Sequence, residues 1–126
     1  MAMAKILVID DDDAVRSVIR RVLERDGHVV VEAPEGGRGI ELLREHHADI
    51  VITDIFMPGQ DGIVTLRQIR NEFPQLKVIV VSGGDRTGRL DLRKDAELFG
   101  AVRTVRKPFT ATEIVTVVAE ILGHTD

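Results

Sequence analysis

The 126-residue chain has no cysteine, no tryptophan and no tyrosine, and only four phenylalanines. Without cysteine there are no disulfides, no thiolate nucleophile and no zinc–thiolate site, a usage that fits a reducing, cytoplasmic setting. With so few aromatic rings, the stacking platforms of single-strand nucleic-acid binders are missing. The chain also lacks a basic excess: 17 Lys and Arg against 21 Asp and Glu give a formal charge of −4. A nucleic-acid footprint needs a strongly basic face, so direct nucleic-acid binding is not expected. No apolar run is long enough to span a bilayer, and "MAMAKILVIDDDD" has neither the basic start nor the cleavage site of a signal peptide. No membrane partner is expected either.

What is present is 44% apolar and 30% charged residues, enough for one soluble domain with a single core. Short β-branched runs alternate with longer segments of helical period. The strands are expected at Ile6–Ile9, Val29–Glu32, Ile50–Thr53, Val78–Val81 and Val102–Val105. In "AVRSVIRRVLERDG", Val15, Val18, Ile19, Val22 and Leu23 share one helical stripe, stopped by Gly27. "GRGIELLREHH", "GIVTLRQIRNEF", residues 89–99 and "TATEIVTVVAEIL" read as the second to fifth helices. Thr110 and Glu113 have capping-box spacing. "GGRG" at 36–39 reads as a loop opening the second helix. Continuous Val/Ile strands are buried on both faces, which implies an α/β fold with a five-stranded parallel sheet between helices. Residues 1–4 and 123–126 read as frayed termini of one domain spanning 1–126.

In an open parallel sheet, ligands bind beyond the carboxyl ends of the strands. Asp10 and Asp11 end the first strand, Asp54 the third and Ser82 the fourth, and Lys107 follows the fifth, so all five reach one rim. Three carboxylates about 4 Å apart repel by about 4 kcal/mol per pair at an effective dielectric near 20. One lysine does not offset that. A hard divalent cation does, and an all-oxygen site with few protein ligands favours Mg²⁺, with Mn²⁺ as a substitute. No glycine-rich phosphate cradle follows the first strand. A carboxylate beside a cation, a lysine and a hydroxyl is equipment for phosphoryl transfer to Asp54, with Lys107 and Ser82 stabilising the transferred group. By the same crowding, Mg²⁺ should raise the melting temperature and Asp11→Asn should stabilise the metal-free protein.

Other polar features have plainer readings. Asp12 and Asp13 suit a helix N-cap and first turn. His28, His46 and His47 lack metal-ligand spacing and read as surface residues. "DRTGRLDLRKDAE" reads as a solvated helix face.

"ILVIDDD", "DIFMPGQDG", "VIVVSGG" and "RKPF", in that order and over essentially the whole chain, resemble the receiver domain of two-component response regulators. The resemblance implies a doubly wound (βα)5 flavodoxin-like fold and a phosphoacceptor switch that catalyses only its own phosphorylation and dephosphorylation. It implies that Asp54 takes phosphate from a sensor histidine kinase or a histidine phosphotransfer protein, within a phosphorelay. Asp11, Asp54 and the backbone carbonyl of Phe56 would ligate Mg²⁺, with Asp10 acting largely through water. Lys107 would pair with the phosphoryl group, Ser82 would swing toward it, and the Lys107–Pro108 bond would be cis. Output would run through the face of the fourth helix, fifth strand and fifth helix, to a protein partner or a second copy. Such a chain is either a stand-alone, single-domain regulator or the amino-terminal piece of a longer one.

Three positions depart from the pattern. Thr104 stands where receivers often carry an aromatic residue, Phe56 is apolar where many relatives are polar, and residues 83–99 run a little long. The alternative is a small-molecule Mg²⁺-dependent phosphatase working through an aspartyl-phosphate. That class usually needs an acid two residues after the nucleophile, where this chain has Phe56.

Overall fold

The computed structural model describes residues 3–54, 56–57, 60–82 and 103–123, with side chains for 3–54, 64–82 and 103–123. The elements run β1 (Lys5–Ile9), α1 (Asp13–Arg25), β2 (Val29–Ala33), α2 (Gly36–Glu45), β3 (Ile50–Asp54), β4 (Phe56–Met57), β5 (Gln60–Asp61), α3 (Gly62–Glu72), β6 (Lys77–Ser82), β7 (Arg103–Arg106) and α4 (Ala111–Ile121). The helix expected at 89–99 lies outside the described residues.

Five parallel strands form one sheet in the order β2-β1-β3-β6-β7. The chain winds outward from β1 to β2, then returns past β1 to β3, so the order reverses between β1 and β3. Alternate residues of each strand serve opposite faces. Leu7, Ile9, Val51, Val78 and Val80 meet Ile40, Leu43, Leu66 and Ile69 of α2 and α3 on one face. Ile6, Val8, Ile50, Ile52, Ile79 and Val81 meet Ile19, Leu23, Ile114 and Val118 of α1 and α4 on the other. Each fully buried Leu, Ile or Val contributes about 1.5–3 kcal/mol over its exposed state, so the central strands are the most strongly anchored of the described elements.

The helix ends follow the expected chemistry. The Asp12 carboxylate caps α1, accepting from the N–H groups of Ala14 at 2.9 Å and Val15 at 3.2 Å. Gly27, just past the helix, takes φ +96°, which glycine tolerates best. Thr110 and Glu113 form the capping box on α4.

Five details differ from the sequence reading. Val18 is 49% exposed, so the buried stripe of α1 is Ile19 and Leu23, flanked by half-buried Val15 and Val22. The "GGRG" stretch is the first turn of α2 rather than a loop. Glu35 caps it, accepting from Arg38 N–H at 2.6 Å, and Gly39 lies against Ile9, whose side chain a Cβ would strike. His28 is buried, not a surface residue: its Nδ1 accepts the Ala4 N–H at 3.0 Å and its Nε2 lies 3.5 Å from Asp26. Ala4, within the stretch read as frayed, is in turn 2% exposed and bonded through its carbonyl to Val29 N–H. Two short antiparallel strands, β4 and β5, were not expected. No helix among the described residues is long and apolar enough to cross a membrane.

Candidate functional site

At the reversal between β1 and β3 the strand ends place their polar residues. Asp10 continues the ladder one residue past β1, its N–H bonded to Ala33 carbonyl at 3.2 Å. Its Oδ1 accepts the Asp12 N–H at 2.9 Å, so the cap residue of α1 orients the acid two positions before it. Asp54 is the last residue of β3, level with Val81, and Ser82 lies one residue farther along the adjacent strand. Both are buried. Lys107 leaves β7 with its backbone N–H on the Ser82 carbonyl at 2.9 Å, and the Lys107–Pro108 bond is cis.

One carboxylate oxygen from each of Asp10, Asp11 and Asp54 lies within 4.8 Å of the other two. Lys107 Nζ donates to Asp54 Oδ2 at 3.0 Å and to Asp10 Oδ2 at 3.5 Å. The side chains of Asp10 and Asp54 are 2% and 6% exposed, whereas Asp11 is open to solvent. Burial chiefly, with the charge of Asp54 adding to it, pushes the Asp10 carboxyl above its ordinary pKa, against the pull of the Asp12 N–H and Lys107. For Lys107, burial works against the charge. The hydrogen bond and attraction to Asp54, seconded by Asp10, outweigh it and raise its pKa, so the ammonium is charged throughout the neutral range.

A family model for the response regulator receiver domain matches residues 6–119. The chain belongs to the response regulator receiver family. It is 34% identical to the chemotaxis protein CheY of Bacillus subtilis, over 94% of this chain and 98% of CheY. It is 36% identical to the sensor kinase CckA of Brucella abortus over 98% of this chain, but spans only 13% of CckA. It spans half of the transcriptional regulatory protein CseB of Streptomyces avermitilis, at 35% identity. Among solved structures, a receiver domain protein from Clostridium thermocellum superposes with a TM-score of 0.86 at 35% identity, covering 96% of this chain and 95% of that one. NtrX from Brucella abortus gives 0.90 at 27% identity, over 98% of this chain and 28% of NtrX.

Receiver domains are phosphoacceptor signalling domains that interact with histidine kinases and bind Mg²⁺ at an acidic pocket. The donor set of this receiver domain fits such an ion: carboxylate oxygens only, crowded at one point, two of them shielded from water. Of the residues singled out from sequence, Asp10, Asp11, Asp54 and Lys107 come together, and Ser82 sits on the neighbouring strand end. Phe56 begins β4 two residues beyond Asp54, its side chain outside the described residues. Thr104 is half-buried in β7, level with Val80. Sequence reasoning missed Arg16 and Glu32. Arg16 stands three residues after Asp13 on α1, a spacing that signals that ion pair, but its bonds to Glu32 and to the Asp10 carbonyl exist only in the folded chain.

Proposed function

We propose that this receiver domain accepts a phosphoryl group on Asp54 from a phosphohistidine of a sensor kinase or phosphotransfer protein, and that the modified domain changes its affinity for a downstream partner. The observation that carries the reading is Lys107 Nζ lying 3.0 Å from Asp54 and 3.5 Å from Asp10 at the mouth of the acid cluster. An Asp54 oxygen attacks phosphorus, the P–O bond forms as the P–N bond breaks, and the departing imidazole keeps the electron pair. A carboxylate nucleophile has no proton to lose, so no general base is required. Lys107 balances charge on the transferring oxygens, and Ser82 donates to one of them after transfer. Asp11, Asp54 and the Phe56 carbonyl would hold Mg²⁺, with Asp10 acting through water. When bound, the ion supplies neutralisation of the acids and of the incoming phosphate. The added charge of about −1.5 to −2 must find Lys107 and Ser82, and that differential contact shifts the population toward the signalling conformation. The surface of β7 and α4 is the proposed output face, toward a protein partner or a second copy.

Incubation with acetyl phosphate and Mg²⁺, followed by intact-mass measurement, tests the reading. One phosphoryl group per wild-type chain is expected, and none on Asp54→Ala or after chelation. Labelling of Asp54→Ala equal to the parent would refute the assignment. Steady turnover of small phosphomonoesters would point instead to a phosphatase.

A further inference from the structure

Asp11 is the exposed member of the acid cluster, and among the described residues no hydrogen bond holds its carboxylate. Its placement therefore follows from its backbone, above all from the peptide that joins it to Asp10. The carbonyl of that peptide accepts Arg16 Nη1–H at 2.6 Å. Arg16 is itself fully engaged. Its side chain is 14% exposed, its Nε donates to Glu32 Oε1 at 3.0 Å, and its Nη2 donates to Asp13 Oδ1 at 2.5 Å. Glu32 accepts a second cation, Arg20 Nη1 at 2.6 Å, so one carboxylate of β2 is gripped from two successive turns of α1. Hydrogen bonds from Arg20 and Arg16 also hold the Glu32 carboxyl below its usual range.

We infer that Arg16 is a positioning residue for the cation site: anchored on Glu32 and Asp13, it fixes the Asp10–Asp11 peptide so that the Asp11 carboxylate meets those of Asp10 and Asp54. The inference rests on the Mg²⁺ reading above. A planar guanidinium suits the task, because its rigid fork serves three acceptors in set directions where an ammonium is a flexible point charge. Two rival roles make opposite predictions. If Arg16 acted only through its charge, removing it would make the acid cluster more negative and tighten Mg²⁺ binding. If Arg16 only touched the phosphodonor protein, Mg²⁺ binding would not change.

Isothermal titration of Mg²⁺ into the metal-free chain separates these roles without requiring phosphoryl transfer. Second-sphere groups of this kind are worth on the order of 10-fold in metal affinity. Arg16→Met should weaken Mg²⁺ binding by about that factor, Arg16→Lys by less, and Glu32→Gln should shift it in the same direction. Arg21→Met, on an exposed position of the same helix, should bind like the parent. With acetyl phosphate as donor, the Mg²⁺ concentration giving half-maximal labelling should rise by a similar factor in Arg16→Met, while the rate at saturating Mg²⁺ stays near the parent's. Parental or tighter Mg²⁺ binding by Arg16→Met overturns the inference. Should that variant fold poorly, parental binding by Glu32→Gln does the same. A parent that binds no Mg²⁺ would overturn both this inference and the cation reading, whereas equal binding by parent and variants removes only the role of Arg16.

Discussion

Asp10 and Asp11 are adjacent in the chain and opposite in solvation, Asp10 1% exposed and Asp11 open to water. Crowding read from the sequence singles out Asp11→Asn as the relief of strain; the structure adds Asp10, the buried one of the pair. Its carboxyl is pushed up first by burial, then by Asp54. An acid with a raised folded pKa holds its proton more tightly in the fold. Its favourable contribution is complete below the unfolded value, about pH 4, and is lost as pH rises through the raised one. In metal-free protein, the melting temperature of Asp10→Asn should therefore gain on the parent's between pH 4 and pH 7. Calorimetry at the two pH values checks this, and a parent that keeps pace with Asp10→Asn would contradict it. Lys107→Met should act in the opposite sense, leaving two buried carboxylates without their cation. Removing one partner of a fully buried pair costs about 3–5 kcal/mol. Because the Lys107 side chain is 25% exposed, a loss of about 1–3 kcal/mol in denaturant unfolding is expected.

At the level of elements, the contest between propensity and packing is clearest in α2. Ala is favoured over Gly inside a helix by about 1 kcal/mol, so Gly39→Ala should stabilise if local preference ruled. A Cβ there would instead strike the side chain of Ile9, which is fully buried in the core between β1 and α2. Overpacking of this kind costs about 1–3 kcal/mol, so a net loss of stability is expected in urea unfolding. A gain would refute the packing argument. The same contest explains what the sequence disclosed. Val/Ile runs and the 3.6-residue stripe located every strand of the five-stranded sheet, and every described helix except the start of α2, to within a residue or two, because there pattern and packing agree. The Gly36–Gly39 turn was misplaced, since its glycines argue against helix while Glu35 and Ile9 argue for it. The β4–β5 pair, two residues a side, is too short to show any period. His28 was misjudged because its partner, the Ala4 N–H, lies 24 residues away in sequence.

For the whole molecule, the strand order brings residues 10, 54 and 107 to one point, and the two core layers hold that rim still. The acids themselves were legible, because each ends an apolar run; Arg16 was not, because its role depends on a backbone carbonyl. Coupling between site and fold gives the broadest prediction. A ligand that binds only the folded chain stabilises it by RT ln(1 + [L]/Kd), about 2.7 kcal/mol at a hundred times Kd. In a chain of this size that is a rise of several degrees in melting temperature. With a formal charge of −4, added salt would also stabilise by screening, so the rise must be measured against NaCl of equal ionic strength. Screening acts on every exposed charge alike and would survive Asp54→Asn. Binding at the proposed site would depend on oxygens from three residues, and both Asp11→Asn and Asp54→Asn should remove most of the Mg²⁺-specific increment. An increment that NaCl reproduces, or that both variants retain, would mean the ion sees a charged surface rather than this pocket.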